Sequence, residues 1–559
     1  MYQIKQEKNV AKDSRDQQLI ELKDTVKELN TTIKNLNAMI AAATKREEEH
    51  VKREAILQEQ IDYLTKKLFG KSSEKRNDQI EGQLSLFNEA EAEKTNPDPL
   101  ETDFVTVEKH TRKKKTTMAE KFADFPKQKV LLDIDEDKRI CEKCGSPLTR
   151  IGEEFIRREI EIIKPEVKII EYYSVTYGCP SCKKEAEAPY IIKGKDYHPH
   201  MLHGMASAST VAWVMYQKYV NSLPLYRQEK DFKTMFNLDI SRGTIANWII
   251  DNAEEFFAPL CDYFKRKLVS GKYAMADETP VQVLKEPGRR AETKSYMWVF
   301  RSGEFDKEQM VLFHYSQTRA GETAKEFLDG FSGYLMTDGY SGYNKLKACT
   351  RTSCWAHVRR YLVDAVPKGK EYDHSVPAVQ GLLYVNKLFD IERWIFSKSP
   401  ISFDAVKEYR LEKEGPVIKG FFSWVNDQKV NKGSRMDKAL TYIQNRKPFL
   451  TNYLEDGGCS FSNNTSERSC KAFVTGRKNW MFSDTPDGAK ASSYAYSIVE
   501  TAKANNIDVY SYLKYLLLKT PTSQTPDEEL EKLCPWNPEC RTAVESIQDI
   551  NQALIFDSV

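Results

Sequence analysis

Apolar residues near the start of the chain recur at alternating intervals of three and four: Leu19, Leu22, Val26, Leu29, Ile33, Leu36 and Ile40. Set between charged neighbours, this heptad seam predicts a coiled coil. The register returns at Leu57, Ile61, Leu64 and Leu68, but polar Glu47 and His50 occupy seam positions between, which weakens the middle. Self-association is the preferred reading; the alternative is a long amphipathic helix packed on its own domain. From "FGKSSEKRNDQIEGQ" to about Lys129 the pattern dissolves into charge runs, the composition of a mostly disordered linker.

The period then shortens to two. "EFIRREIEII" and "EVKIIEYYSVTYG", separated by "KP", read as paired strands flanked by Cys141 and Cys144 in "CEKCG" and by Cys179 and Cys182 in "CPSC". Two CxxC knuckles at the ends of a hairpin can present four thiolates to one tetrahedral zinc, a zinc ribbon. Four cysteine ligands leave no open coordination position, so this zinc is structural.

After "YHPHMLHG" the helical period takes over. "NSLPLYRQEKDFKTMFNLDISRGTIANWIIDNAEEFF" predicts a helix, a break at 237–239, and a second helix with Ser241 or Thr244 near its start and Trp248 facing inward. With Arg242, Thr244 and Asn247 exposed at its front, the pair suits a helix-turn-helix reader of DNA, although any helical hairpin has such a turn.

From Lys272 the chain is strand-rich: "YAMADETPVQVL", "SYMWVFRS", "MVLFHYS", the helix "GETAKEFLDG", then "GYLMTDGYSGYNKL". Asp277 and Asp338 each stand at the end of an apolar strand, where a metal site can be built at a sheet edge. The other readings are a solvent-facing strand residue for Asp277 and an Asp-Gly turn for Asp338. "TSCWAHVRRYLVDAV" places Cys354 and His357 one turn apart at a helix start, a pair too small for a metal site by itself and suited to packing or orienting a neighbour. Residues 370 to about 455 read as helices, an insertion. Then "NNTSERSCKAFVTGRKNW" holds one acid, Glu467, among basic side chains. Asn464 and Glu467 read locally as a helix N-cap and its acidic N3 position, with Lys471 one turn on.

Totals narrow the classes. At 559 residues the chain exceeds one ordinary core, and 40% hydrophobic with 11% aromatic residues is globular. The net charge of +2 conceals segregation between "HTRKKK" and the acidic tail "TPDEELEKL", so a nucleic-acid footprint is local. No apolar run of about eighteen residues appears, and the N-terminus lacks the apolar stretch of a signal peptide, which argues for a cytosolic protein without membrane contact. Eleven cysteines, an odd number without a secretion signal, read mostly as reduced thiols.

In order and spacing, "MADETPVQVL", "YMWVF", "LMTDGYSGYN", "CWAHVRR" and "NNTSERSCKAFVTGRKNWMF" resemble the DDE transposases of the insertion sequence 66 family. The likeness extends to "LFGKSSEK", "GQLSLFNEAE", both CxxC pairs and "LPLYRQEKDF". It implies a multidomain α+β protein with a ribonuclease H-like α/β catalytic core interrupted by a helical insertion. Laid out on this chain, that is a coiled coil for oligomerisation (1–70), a charged linker (71–135), the zinc ribbon (136–200), a helical DNA-binding segment (201–270), the core's first part (271–368), the insertion (369–455), the core's second part (456–518) and a C-terminal tail (519–559).

The catalytic acids of the family fall on Asp277, Asp338 and Glu467. They are expected to bind two magnesium ions, or manganese in their place, about 3.5 to 4 Å apart. Arg468, Lys471, Arg477 and Lys478 are expected to face DNA phosphates. One departure stands out: "SERSCKA" replaces the family's "SERAxRP", putting Cys470 and Lys471 where a small residue and an arginine are usual and weakening the case for bidentate phosphate contact at Lys471. Asp484 and Glu278 are the substitutes for Glu467. The expected partners are transposon-end and target DNA, a second or further copy of the chain, and small companion proteins of the same element; the expected setting is the bacterial cytoplasm, at the nucleoid. Two other functions share these features: a structure-specific DNA nuclease on the same core, and a catalytically silent DNA-binding regulator.

Overall fold

The computed structural model describes residues 2–69, 147, 166–178, 191–193, 204–398 and 400–556. The linker 71–135 and the four CxxC cysteines lie outside the described residues. Helix α1, Tyr2–Phe69, runs without a break through Glu47 and His50. Leu22, Val26, Leu29, Ile33, Leu36 and Ile40 are each more than half exposed along it.

Strands β1, Thr176–Gly178, and β2, Ile191–Lys193, pair antiparallel with Tyr177 opposite Ile192. They flank "CPSC" in the sequence; "EFIRREIEII", the other strand of the expected pair, lies outside the described residues. The strand expected over 166–178 is confined among the described residues to its last three positions. Upstream of them Ile169 and Tyr173 are 77% and 81% exposed, without the burial that stabilises a strand face.

Helices α2, Ala208–Tyr219, and α3, Leu225–Phe236, follow; Asn237 in the left-handed region (φ 56°) breaks the chain, and α4, Arg242–Asn252, begins one short turn later. The Ser241 hydroxyl accepts the Thr244 N–H at 3.1 Å and caps α4, and Trp248 is buried as expected. A π-helical turn, Ala253–Phe257, continues into α5, Ala258–Ser270.

The central sheet comprises β3, Tyr273–Gln282, β4, Lys294–Ser302, β5, Val311–Ser316, then after helix α6, Gly321–Phe327, β6, Tyr334–Thr337, and β7, Thr350–Ser353. Their order is β5-β4-β3-β6-β7, antiparallel across β5, β4 and β3 and parallel across β3, β6 and β7. Apolar runs such as "YAMA" in β3 and "MWVF" in β4 fit strands covered on both faces. β3 does not end at Asp277, because its ladder with β4 continues to Gln282 opposite Lys294. β7, "TRTS", has no counterpart in the sequence reading; its buried Arg351 donates Nη2 to Thr337 Oγ1 at 3.0 Å and Nη1 to Asn344 Oδ1 at 2.6 Å.

Beyond β7 comes α7, Trp355–Ala365, and then, over the residues read as the insertion, α8, Pro377–Phe396, α9, Phe403–Tyr409, α10, Gly415–Asp427, and α11, Arg435–Leu450, a helical run as predicted. Val385, Phe421 and Ile443 of these helices share a hydrophobic core with Trp355 and Leu362 of α7, and it reaches Tyr273 of β3. Four helices complete the chain before its end: α12, Asn464–Trp480, α13, Pro486–Ala504, α14, Val509–Lys519, α15, Asp527–Lys532, with α16, Pro538–Phe556, last. Along the edge strand β5, Val311 and Phe313 donate their N–H groups to Thr501 Oγ1 (3.0 Å) and Ser497 Oγ (2.8 Å) of α13, so the helix satisfies an otherwise unpaired edge.

Two boundaries differ from the sequence reading. The helices of 204–270 share one core with the sheet, from Val211 and Phe264 to Trp298 and Tyr496, and are not a separate unit. The segment read as a tail also joins it, since Leu530, Leu533, Cys534, Cys540 and Val544 are buried there.

Candidate active site

The geometry follows from strand register. Met275 of β3 pairs with Met336 of β6, so two residues on in each parallel strand Asp277 comes beside Asp338. Each carboxylate accepts a nearby backbone N–H at 2.8 Å, Asp277 Oδ1 from Glu278 and Asp338 Oδ1 from Tyr340. The second bond is an Asx-turn, so the turn reading of Asp338-Gly339 and its place beside Asp277 hold together. Gly339 is required here: a Cβ would stand 2.6 Å from the Tyr442 ring of α11, which packs over it.

Glu467 arrives from a segment far along the chain. The sequence reading made Asn464 the cap; instead Asn463 takes the N-cap position without a side-chain capping bond. Buried Asn463 ties α12 down differently, donating Nδ2 to the Ala276 carbonyl (3.3 Å) and its backbone N–H to Cys354 Sγ (3.1 Å). Glu467 therefore lies in the second half of the first turn, where Oε2 accepts from Arg360 at 3.1 Å. His357 Nε2 lies 3.6 Å from Oε1, within ion-pair range but long for a hydrogen bond, and Oε1 has no hydrogen-bond partner among the described residues. Cys354, at the N-cap of α7, His357 and Glu467 bring their ligand atoms within 4.8 Å of one another.

Charge accumulates at this point. Burial first, then the negative charges of Glu278 and Asp338 and, more weakly, Glu467, push the Asp277 carboxyl up to about 7. Burial opposes the His357 cation, but the hydrogen bond and charge of Cys354 and the charge of Glu467 prevail and raise it to about 9. Cys470, the departure from the family pattern, is buried; burial and then the charge of Asp277 hold its thiol well above the usual range, so it packs neutral under that acid.

Several neighbours escaped the sequence reading. Glu278, weighed there only as a substitute acid, is 1% exposed and bound by Arg319 (2.6 and 2.9 Å) and by the Tyr343 hydroxyl (2.6 Å). Arg360 and Tyr343 both stood inside quoted motifs, "CWAHVRR" and "LMTDGYSGYN", but nothing local assigned them a partner. Tyr442, from the insertion, carried no signal. The other substitute, Asp484, pairs with Lys285 at 2.7 Å beyond the far end of β3.

The basic residues divide. By helical spacing Arg468, Lys471 and Lys478 share one side of α12. Arg477 falls opposite and donates to the Pro280 carbonyl, contrary to the expectation that it joins them. Arg242, Thr244 and Asn247 are exposed at the front of α4, as anticipated. Among the described residues no helix is long and apolar enough to cross a membrane.

Comparison with known proteins finds family matches over several stretches of the chain. Residues 203–491 match the family described as Transposase IS66 family. Residues 138–183 match the zinc-finger binding domain of transposase IS66, which supports a structural zinc, 497–536 the IS66 C-terminal element, and 56–130 the family described as Transposase C of IS166 homeodomain. Among curated relatives, the uncharacterized protein y4qI of Sinorhizobium fredii is 26% identical over 428 residues, covering 72% of this chain and 75% of its own length. From the same organism, y4jD is 27% identical over 420 residues (72% and 79%) and y4hP 24% over 437 (74% and 75%). With just over half its length matched by the first of these families, the chain belongs to the IS66 family of transposases.

Proposed function

We propose that this chain binds the ends of its insertion sequence and carries out strand cleavage and strand transfer at Asp277, Asp338 and Glu467. The observation that carries the reading is the register that sets Asp277 beside Asp338 on adjacent parallel strands, with the charge of Glu467 felt at the same point. The five-stranded order β5-β4-β3-β6-β7, covered by helices, supports a ribonuclease H-like core.

These residues fit a pair of divalent cations. Burial and then the crowding of Glu278 and Asp338 hold Asp277 partly protonated near neutrality, a strain on the charged form that a cation relieves, and buried Glu467 Oε1 is without a hydrogen bond among the described residues. Carboxylate oxygens favour magnesium, with manganese as a substitute. Such ions, when bound, supply Lewis-acid stabilisation and a more acidic water.

The chain's own residues do the orienting. Arg360 and His357 hold Glu467, two backbone N–H groups fix Asp277 and Asp338, and Arg319 with Tyr343 locks Glu278 beneath them. Arg468, Lys471 and Lys478 face phosphates, and Arg242, Thr244 and Asn247 contact the end sequence. In cleavage a water oxygen attacks phosphorus and the 3′ oxygen leaves, taking a proton; in joining, that 3′ hydroxyl attacks a target phosphorus and displaces the target's 3′ oxygen. No covalent protein intermediate forms. Cys141, Cys144, Cys179 and Cys182 hold the structural zinc, and the exposed seam of α1 pairs copies of the chain.

Ala at Asp277, Asp338 or Glu467 should abolish cleavage and joining on a duplex carrying the element's own end while leaving gel-shift binding largely intact. Near-normal cleavage by Glu467→Ala would remove the assignment.

A further inference from the structure

Where α12 ends, the backbone does something no helix terminus requires. Met481 has φ 67° and ψ −44°, and the Phe482 N–H donates to the Trp480 carbonyl at 2.8 Å. Together these define a γ-turn of the positive-φ hand, a rare and strained conformation for a residue with a side chain. The residues around it are anchored. Asn479 Nδ2 donates to the Ser222 carbonyl at 3.0 Å, and the Trp480 ring lies against Gly476, where a Cβ would come within 2.3 Å, with Lys218 Nζ 4.3 Å from its centroid. On the other side Ser483 donates its N–H to Gln282 (2.9 Å), and Leu284 and Lys285 donate theirs to Ser483 and Asp484 (3.0 Å each), extending β3. Between these anchors only Met481 and Phe482 point outward, 69% and 43% exposed.

Burial therefore does not account for this pair, and the adjoining face of α12 is cationic: Lys478 precedes them on the same side as Arg468 and Lys471, while Lys285 across the bridge is offset by Asp484, with which it pairs at 2.7 Å. We propose that Met481 and Phe482 form an apolar wedge that enters a base step of the bound element end and unstacks it. Charge complementarity selects DNA as the occupant. Two paths give the same reach: thirteen residues of α12 from Glu467 to Trp480 at about 1.5 Å each, and six residues of β3 from Asp277 to Val283 at about 3.3 Å, are both roughly 20 Å. At about 3.4 Å per base pair the wedge meets the duplex roughly six pairs from the cut.

This inference rests on the transposase reading. Full-length protein in calcium, without cleavage, is mixed with duplexes of the element's end carrying 2-aminopurine at single positions from three to nine pairs inside the cut. One or two adjacent positions near the sixth should brighten several-fold on binding. Met481→Ser with Phe482→Ser should lose that signal while binding the same duplex within about tenfold. Met481→Gly, which relaxes the positive φ, should keep or raise the melting temperature and still lose at least half the signal. Binding by the unaltered chain with no bright position, or an undiminished signal in the double variant, overturns the wedge alone. Loss of two-ended complexes in sedimentation by the double variant with the signal intact assigns the pair to a second copy instead. Absence of end binding by the unaltered chain overturns both wedge and transposase reading.

Discussion

Asp277 and Asp338 lie side by side because Met275 and Met336, two residues before each, are partners in the parallel ladder of β3 and β6. The pairing concentrates like charge where burial already disfavours it, which raises the Asp277 carboxyl to about 7.

That elevation sets a pH dependence. The folded chain binds this proton more tightly than the unfolded chain, whose carboxyl titrates near 3.8, so the stability contributed is complete below about 4 and is lost as pH rises to about 7. Asp306 and Glu414, raised to about 6 and 8, act in the same direction, so the comparison must be differential. In chelator, Asp277→Asn should flatten the fall between pH 4 and 7 by an amount on the order of a few kcal/mol. Magnesium should raise the melting temperature of the unaltered chain at pH 8 and not that of the variant. Thermal denaturation across pH checks both.

Arg319→Ala leaves the Glu278 carboxylate buried with the Tyr343 hydroxyl as its remaining hydrogen-bond donor. Because the Arg319 side chain is 43% exposed, water screens part of the loss, and the cost should be about 1–3 kcal/mol. A melting temperature lowered by a few degrees, largely restored by adding Glu278→Gln, is the expected result.

In the insertion, Arg410 is fully buried and donates Nε and Nη2 to the two oxygens of Glu392 at 2.6 and 2.9 Å, and Nη1 to the Cys459 carbonyl at 2.9 Å. Arg410→Met strands Glu392 and Glu414 together without their cation and should cost about 3–5 kcal/mol. Urea unfolding followed by tryptophan fluorescence, with Trp394 and Trp424 inside the insertion, reads the loss. Because Cys459 lies four residues before Asn463, cleavage should fall as well.

Replacing Leu29 and Ile33 in α1 by polar residues removes two adjacent layers of the proposed pairing seam. The loss should be about 2–5 kcal/mol of association for each deeply buried aliphatic side chain. The altered chain should fold, bind one end weakly and fail to bring two ends together in sedimentation with end DNA. Two-ended complexes formed as readily as by the unaltered chain would place the dimer contact elsewhere, the inserted helices being the next choice.

The sequence by itself determined what depends on neighbours a few residues away. Heptad spacing gave the long helix, short apolar runs gave β3 to β6, the helical period gave the insertion, and ordered motifs singled out Asp277, Asp338 and Glu467 with their family. The tertiary structure decided everything that depends on which segments meet. The polar strand β7 is accommodated in the interior because Asn344 and Thr337 accept from Nη1 and Nη2 of buried Arg351. Asn463 holds α12 through Ala276 and Cys354 and not through a local cap. The segment read as a tail is core because α15 and α16 bury Leu530 and Val544 against the rest. Arg360 finds Glu467, and Arg319 finds Glu278, across separations of 107 and 41 residues. Periodicity records the face a residue turns toward the interior, while ladder register and ion pairing depend on the partner segment, which no local pattern names.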